Sequence, residues 1–527
     1  MGLRALSMSL PVRVPAATSE VYLRWVAFAV LLPTWMALID GTVVTVGLDT
    51  IAGNLGVSVD EASWIASIYP VTAVFVMPLT GWVSANIGRK RALLWAIGVF
   101  TGASLLCALS GNLTELIVMR GLQGLGGGLM IPLAMAALID AYPRERLPTA
   151  FKVYGAATMV APALGPALGG WILANLTWPW IFLINIPLGL FALLLVSGVV
   201  REQSVRGERS AFDWTSLSVL IAGLLALQYV ITEGPRNDWF DSPAVGVALG
   251  VAIVALTLFA RRQLAARIAF VDLRPLAIPT FTVGLILALI TGIGFTGTTL
   301  LAPLYMQEVL RYAPDYAGLV MIPAAFGAFL GTEFSGRLTA KMPPSVLAAA
   351  SLAVAAAGTF WMAFQGDRIS FEDTLLPRFV QGIGVGLLFV PLNVLLMTHV
   401  PKRLIDAASG LAGIVRQVGA GIGFAILGTL VVHAQIATTS TFSARARQGS
   451  VLSDAGFGAA YRWFTSHGYN DSDAQAFSSS VVGELVNRAA LTAAFSETFI
   501  IVGLLFLGSL PFLVLFHLVR GGNPESA

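Results

Sequence analysis

The chain has little charge, one cysteine and few histidines. Only 11% of its 527 residues are charged, whereas soluble domains carry about 25%. Cys107 has no partner for an internal disulfide, and its apolar neighbours argue against a redox role. The four histidines are scattered, and no metal-ligand spacing accompanies them. The GxxxxGK[ST] motif is also missing, so we expect neither a P-loop that binds ATP nor any other cofactor.

A signal peptide and a nucleic-acid surface are not expected either. The first 20 residues lack a long apolar core and a clear cleavage site, so we interpret residues 1–21 as a cytoplasmic tail. The pI is about 9.1, but the basic residues lie in short loops, as membrane orientation requires. The sequence therefore predicts no nucleic-acid partner.

Long apolar runs dominate what is present. The chain is 57% hydrophobic, and runs of about 18 or more apolar residues, each long enough to span a bilayer, recur from Tyr22 to Leu518. The prediction is an all-α polytopic membrane protein in contact with lipid. We predict fourteen spans by length, over 22–47, 62–85, 91–110, 114–140, 147–174, 178–200, 213–233, 242–260, 280–307, 316–339, 344–365, 373–399, 405–435 and 491–518.

The distribution of positive charge orients these spans. With both termini in the cytoplasm, 21 of the 31 Lys and Arg lie inside or near the inner ends of spans, 7 lie outside, and 3 (Arg120, Arg378 and Arg416) lie deep within predicted helices. This asymmetry favours a multi-pass membrane protein with both ends cytoplasmic. The outside segments are short except for residues 436–490.

Internal similarity divides the chain into two halves. "RGLQGLGGGL" at 120–129 returns as "RFVQGIGVGL" at 378–387, and three weaker matches recur at nearly the same interval. Such repetition indicates two six-helix bundles with two extra helices between them. The predicted domains are a tail (1–21), an N-terminal bundle (22–200), an insertion (201–275), a C-terminal bundle (276–518, with the outside segment 436–490) and a second cytoplasmic tail (519–527).

Several motifs resemble a known family. They are "LIDGTVVTVGL", "GWVSANIGRKR", "RGLQGLGGGLMIP", "GPALGG" and "WPWIFLINIPLG". Together they are similar to the fourteen-helix drug:proton antiporter branch of the major facilitator superfamily, and most to EmrB-type permeases. The resemblance implies the major facilitator fold and export of small hydrophobic or amphipathic drugs, driven by the proton gradient. It also implies an EmrA-type periplasmic adaptor and an outer-membrane channel as partners.

Asp40 and Arg120 lie at similar predicted depths in the membrane. A charge there is costly, so each is expected to face a cavity and to have a partner. An arginine does not release its proton, so Asp40 is the candidate proton carrier and Arg120 its counter-ion. A static buried pair, or an Arg120 bonded only to backbone carbonyls, is the alternative. Arg378 repeats Arg120, but the position matched to Asp40 is Thr296, so we expect coupling to be concentrated in the first half.

Other polar residues within the predicted helices have less certain roles. Glu333 is either a second protonation site or one half of a local pair with Arg337 at the membrane interface. Further candidates for cavity or substrate contacts are Thr42, Gln123, Arg378, Gln381 and Arg416.

Two glycine-containing motifs are expected to shape the transport path. The resemblance makes Gly165, Pro166, Gly169 and Gly170 an antiporter motif in which proline kinks the helix and small residues allow close packing. The segment around Gly81, Gly88, Arg89 and Lys90 is either a topology signal or a cytoplasmic gate in which Arg89 reaches neighbouring helix ends. Ala85 replaces the family's usual aspartate in that loop.

The long outside segment carries unusual apolar area. Phe457, Tyr461, Trp463 and Phe464 are candidates for docking the adaptor, or else anchors in the membrane interface. Residues from Asp471 onward predict a capped helix that runs into the last span.

The function that fits these features is proton-driven export of amphipathic compounds. The alternatives are a proton symporter for uptake of a small organic solute, and a membrane sensor or enzyme that transports nothing. No catalytic constellation supports an enzyme.

Overall fold

The computed structural model describes residues 19–202, 213–234, 239–266, 269, 271–312, 319–367, 369–447 and 451–521. Long helices dominate these ranges, and no strand occurs in them. The predicted all-α class is therefore confirmed. The chain forms two compact units: Met1–Ser216 with Arg262–Pro275 and Val400–Gly413, and Leu217–Arg261 with Leu276–His399 and Ile414–Ala527.

Helix α5 is central to unit 1. It packs against α1, α2 and α4, while α1 also packs against α6 and α8. The helices up to residue 199 are α1 (Glu20–Leu55), α2 (Val59–Val76), α3 (Thr80–Ile87), α4 (Arg89–Ala108), α5 (Leu113–Ala141), α6 (Leu147–Asn175), α7 (Trp180–Leu183) and α8 (Asn185–Val199).

In unit 2 the central position is taken by α14, which packs against α11, α12 and α13. The remaining described helices are α9 (Trp214–Glu233), α10 (Pro243–Ala265), α11 (Pro279–Glu308), α12 (Met321–Thr339), α13 (Pro344–Ala363), α14 (Phe371–Met397), α15 (Ile405–Arg447), α16 (Val451–Ser466), α17 (Asp471–Gly508) and α18 (Leu510–Gly521). Residues 405–413 of α15 belong to unit 1.

Twelve described helical segments are long and apolar enough to cross a membrane. Helices α6 and α12 occupy the other two predicted spans, but their Gly, Pro, Thr and charged residues make them less apolar. The total of fourteen spans is compatible with the structure and stays a prediction.

Local sequence signals explain where helices begin. Ser58 starts α2 with a capping box, since its hydroxyl accepts from the Glu61 N–H while the Glu61 carboxylate accepts from the Ser58 N–H. Asn112 caps α5 by accepting from the N–H of Glu115 at 2.9 Å. Such caps satisfy backbone donors that the first turn leaves open.

In the segment 436–490, residues 436–447, 451–466 and 471–490 are helical. Helix α15 continues to Arg447, and α16 then packs against α17. The capped helix predicted from Asp471 is confirmed, since Asn470 accepts from the Asp473 N–H at 2.8 Å. Helix α17 continues from this cap to Gly508 in the last span.

Candidate functional site

A buried ion pair joins α1 to α5 in unit 1. Asp40 is 1% exposed and Arg120 is 0% exposed. The Arg120 Nη1 atom lies 2.5 Å from Asp40 Oδ2, and Arg120 Nε donates to the Ile65 carbonyl at 3.1 Å. The structure thus brings together the two residues singled out by depth. Because buried charges are costly without partners, this contact fixes how α1, α2 and α5 meet at this depth.

Two side-chain amides complete the surroundings of the carboxylate. Gln123 Nε2 donates to Asp40 Oδ1 at 2.9 Å, and Asn185 Nδ2 donates to the same oxygen at 3.0 Å. Both amides also donate to the Ser104 hydroxyl, at 2.6 and 3.4 Å respectively. Every described contact to the Asp40 carboxylate is therefore made by a donor, which is the arrangement that an ionised carboxylate requires.

Aromatic rings cover the guanidinium. The Arg120 Cζ atom lies 4.7 Å from the centre of the Tyr69 ring and 5.7 Å from that of Phe182. Gly127 allows the close approach of Tyr69, since a Cβ there would meet the tyrosine ring carbon Cζ at 2.9 Å. The glycines of "GLGGGL" at 124–129 accordingly serve close helix packing, and the rings add cation–π attraction to the buried charge.

The corresponding place in unit 2 has an arginine but no acid among its described contacts. Arg378 Nη1 donates to Gln381 Oε1 at 2.5 Å and to the Thr298 carbonyl at 3.3 Å, while its Nε has no hydrogen-bond partner in the described structure. Gln381 Nε2 donates to the Thr298 hydroxyl. The residue that faces Arg378 is thus Thr298, and the sequence match to Thr296 was wrong by two positions.

The described contacts of the other polar candidates are local to their own helices or units. Thr42 hydrogen-bonds within α1, to the Ile39 carbonyl at 3.1 Å. Glu333 lies 3.6 Å from Arg337, which is the geometry of the local pair. Arg416 donates to Asn393 Oδ1 at 3.3 Å and has further interactions.

The "GPALGG" motif lies where α6 packs against α1. A Cβ on Gly165 would collide with the Thr42 side chain, and one on Gly169 would lie 3.1 Å from the Val43 carbonyl. Gly170 has nothing within 4 Å of that position. The side chain of Pro166 lies outside the described part of the structure.

A second charged cluster surrounds Arg89 in unit 1. Arg89 holds Asp406 with two hydrogen bonds of 2.8 Å, and its Nη1 donates to Asp140 at 2.8 Å. The Ser84 hydroxyl donates to Asp406 at 3.2 Å. Asp406, at the start of α15, therefore supplies a carboxylate to Arg89. Residue 85, in the loop motif before Arg89, is alanine and supplies none.

The remaining residues of that motif support this region. A Cβ on Gly81 would lie 3.3 Å from the Ala407 Cβ, so α3 and the start of α15 pack closely. Gly88 has φ +87°, a conformation that other residues rarely adopt. Lys90 donates to the Ser197 carbonyl at 2.6 Å and so contacts α8 rather than the Arg89 cluster.

The aromatic residues of the outside segment do not all face outward. Trp463 is 54% exposed, but Phe464 packs at 5.4 Å between ring centres against both Tyr469 and Phe477. Phe457 and Tyr461 stack at 6.2 Å. The Tyr461 hydroxyl donates to the Asp471 carboxylate, which raises the pKa of that phenol.

Helix α17 adds exposed apolar residues that the sequence analysis did not single out. Phe477, Val481 and Leu485 on this helix are 43%, 39% and 57% exposed, and Tyr469, just before it, is 45% exposed. The three on the helix recur every four residues and therefore form one stripe.

Four residues of the two charged clusters were also missed. Asn185 and Ser104 are neutral polar residues inside apolar runs, and Asp140 and Asp406 lie near helix ends. The sequence offered one signal for Asn185, since a buried amide in an apolar helix needs a hydrogen-bond partner. That rule does not identify the partner.

Comparison with known proteins agrees with this architecture. The Major Facilitator Superfamily model matches residues 30–424. The chain is 32% identical over 403 residues to the multidrug export protein EmrB of Escherichia coli (strain K12), covering 76% of this chain and 79% of the relative. It is 33% identical over 413 residues to the fatty acid resistance protein FarB of Neisseria gonorrhoeae, covering 77% and 80%.

Solved structures show the same fold at low sequence identity. The human organic anion transporter MFSD10 (TETRAN) aligns with a TM-score of 0.57 and 13% identity, covering 92% of this chain and 99% of that one. The proton:xylose symporter XylE, solved with 6-bromo-6-deoxy-D-glucose, aligns with a TM-score of 0.57 and 14% identity, covering 89% and 94%.

Membrane-length helices and these relatives define a multi-pass membrane transporter and not an enzyme. The chain belongs to the Major Facilitator Superfamily, and its curated relatives include multidrug export proteins. Transporters of this superfamily generally need no cofactor.

Proposed function

We propose that this protein exports hydrophobic or amphipathic compounds across the bacterial inner membrane in exchange for protons. The buried Asp40–Arg120 pair carries the proposal, because a titratable group at this depth needs a function that repays its cost. The names of the relatives support the cargo: EmrB is a multidrug export protein, and FarB is a fatty acid resistance protein. A fatty acid, the compound class in the FarB name, has an apolar body with a polar end.

In this proposal Asp40 carries the proton, and Arg120 positions the Asp40 carboxylate. In the described structure the Asp40 carboxylate accepts hydrogen bonds and donates none, so this arrangement corresponds to the ionised form. Proton entry neutralises Asp40 and removes its attraction for Arg120, which frees α1 to move relative to α5. Cargo release then accompanies proton uptake, and return to the ionised pair releases the proton to the cytoplasm.

The Arg89 cluster is proposed as the cytoplasmic gate. One guanidinium binds two carboxylates, those of Asp140 in α5 and Asp406 in α15, and all three side chains are largely removed from solvent. Opening this side requires separation of Arg89 from Asp406, so the pair resists opening until another event compensates its loss. Gly81 supports the gate through close packing on Ala407.

The helical segment α16–α17 is proposed as the periplasmic surface for an EmrA-type adaptor, which connects to an outer-membrane channel. This assignment places both termini in the cytoplasm. The exposed Trp463 and the stripe of Phe477, Val481 and Leu485 supply the apolar area. Phe464 supports the surface from within, since it packs between α16 and α17.

The decisive test is Asp40→Asn in proteoliposomes. We expect drug-driven proton movement to disappear while the protein remains inserted, because asparagine cannot exchange a proton near neutral pH. Glu372→Gln, an exposed carboxylate at the start of α14, is the matched control and should transport normally. Proton movement that persists in Asp40→Asn rules out the proton-carrier role.

Direction and partner need separate measurements. Drug uptake into inside-out vesicles under an imposed proton gradient distinguishes export from uptake by symport. Trp463→Ser should weaken co-purification with the adaptor and lower resistance in cells, yet leave transport in liposomes unchanged. Lost liposome transport in a folded Trp463→Ser variant means that this surface belongs to the transport step instead.

A further inference from the structure

The three side chains that donate to Asp40 differ in whether they can accept a hydrogen bond from it instead. Arg120 carries only donors and cannot accept a hydrogen bond in any protonation state. Gln123 is an amide, but its Oε1 already accepts from Arg120 Nη1 at 2.6 Å, so reversing the amide would set two donors against each other. Both residues are therefore locked with their donors toward the carboxylate.

Asn185 is not locked in this way. Its Nδ2 donates to Asp40 and to Ser104, but within the described structure no donor contacts its Oδ1. Asn185 is 3% exposed and is the first residue of α8. Ile184, which separates α7 from α8, directly precedes it. Reversing the Asn185 carboxamide breaks only the two bonds made by its own nitrogen.

A protonated Asp40 needs such a change. Its new O–H is a donor, and a buried donor without an acceptor pays its full desolvation cost. The groups that now contact the carboxylate present N–H groups only. The other titratable neighbours make no described hydrogen bond with Asp40, since the Tyr69 hydroxyl donates to the Ala37 carbonyl and the Cys107 thiol donates to Gln123 Oε1.

We propose that Asn185 is the positioning residue that accepts the hydroxyl of protonated Asp40 by reversing its carboxamide. The proton binds Asp40 Oδ1, no covalent bond of Asn185 changes, and the Asn185 Oδ1 atom takes the place that Nδ2 held. Ser104 accommodates the reversal, because its hydroxyl can rotate from the Phe100 carbonyl and donate to the same oxygen. This inference rests on the proposed role of Asp40 as the proton carrier.

The consequence is that one side chain stabilises both protonation states. It donates to the carboxylate and accepts from the acid, so neither state leaves a buried polar group unpaired at Asp40. Without it, the protonated state loses a hydrogen bond. We expect proton-driven transport to fall about tenfold to a hundredfold, which corresponds to one hydrogen bond of this strength.

Infrared difference spectroscopy of the purified protein between high and low pH tests the proposal. The acid C=O stretch of Asp40 should appear on protonation and should move to higher wavenumber in Asn185→Leu, which has similar size but neither donor nor acceptor. Asn185→Gln, which keeps the amide, should restore the band and much of the transport. Thr359→Val is the control, since it removes a buried hydroxyl in unit 2 and should move no band.

Each outcome bears on a different claim. A band that persists in Asp40→Asn overturns the proton-carrier role itself. A band that vanishes in Asp40→Asn but has the same frequency in wild type and Asn185→Leu overturns the role of Asn185 alone. If Asn185→Leu does not fold, the Asn185 amide bands of the wild type decide, because reversal must shift them when Asp40 is protonated.

Discussion

Replacing Arg120 by lysine should remove most proton-coupled transport, although the charge is kept. Arg120 makes three hydrogen bonds from two different nitrogens, to Asp40, Gln123 and the Ile65 carbonyl. A lysine ammonium has all its donors on one nitrogen and cannot reproduce bonds that start from two separate nitrogens. If two bonds to the charged group are lost, at about 1.5–3 kcal/mol each, the cost is about 3–6 kcal/mol. That cost corresponds to a loss of about a hundredfold to ten-thousandfold.

The matched variant is Arg378→Lys in the other half of the chain. Arg378 makes one short bond to Gln381, a longer one of 3.3 Å to the Thr298 carbonyl and a weak one of 3.4 Å to the Met321 sulfur, and its Nε is already unpaired. A lysine can keep the short bond, so we expect a loss of about tenfold or less. Transport is measured in proteoliposomes at equal amounts of folded protein. Equal losses for the two variants would refute the argument that coupling is concentrated in the first half.

Two further predictions concern packing and the Arg89 cluster. Gly165→Ala should destabilise the protein by about 1–3 kcal/mol because its methyl group collides with Thr42, whereas Gly170→Ala should be neutral or stabilising by up to about 1 kcal/mol; thermal unfolding in detergent measures both, and equal effects would contradict the packing argument. Arg89→Gln should cost about 3–5 kcal/mol because it leaves buried carboxylates without their guanidinium. Adding Asp406→Asn should recover part of that loss, and no recovery would mean that the two side chains act independently.

The central ion pair was predictable because helices are regular. A constant rise of 1.5 Å per residue converts sequence position into depth, so two charges in separate apolar helices could be matched without knowledge of the packing. Asn185 and Ser104 were not predictable in this way. Neutral polar residues carry no comparable cost, and the direction in which they point depends on how α4 and α8 rotate against α5.

The error at Thr296 has a simple cause. The repeated motifs recur at intervals between 254 and 258 residues, so short insertions separate the matches. A shift of two residues turns a helix by about 200°, which places a different side chain toward the neighbouring helix. Applying the interval of Arg120 and Arg378 to Asp40 leads to Thr298, the residue that the structure places against Arg378.

The contact between Arg89 and Asp406 could not be predicted from the sequence, for a different reason. The sequence showed that the usual aspartate was missing at Ala85, but not that Asp406 contacts Arg89 from 317 positions away. Such a pairing depends on tertiary packing alone.

Helix α16 was not predicted, although the sequence carries a signal for it. Phe457, Tyr461 and Phe464 recur at intervals of four and three residues, which is typical of one helical face. Helix α16 forms because that face packs on α17, where Phe464 meets Phe477.

The two arginines show how one motif can serve two purposes. Both begin an Arg-x-x-Gln pattern, both are buried, and both hold their glutamine through the same nitrogen. Only Arg120 faces a carboxylate in the described structure, so only there does protonation change the charge balance. Arg378 keeps its charge in every state, with Thr298 supplying neutral contacts. Because the buried charge is fixed in one half and can change in the other, the two halves respond differently to a proton. We therefore expect the first half to respond to the proton and the second to provide a constant frame.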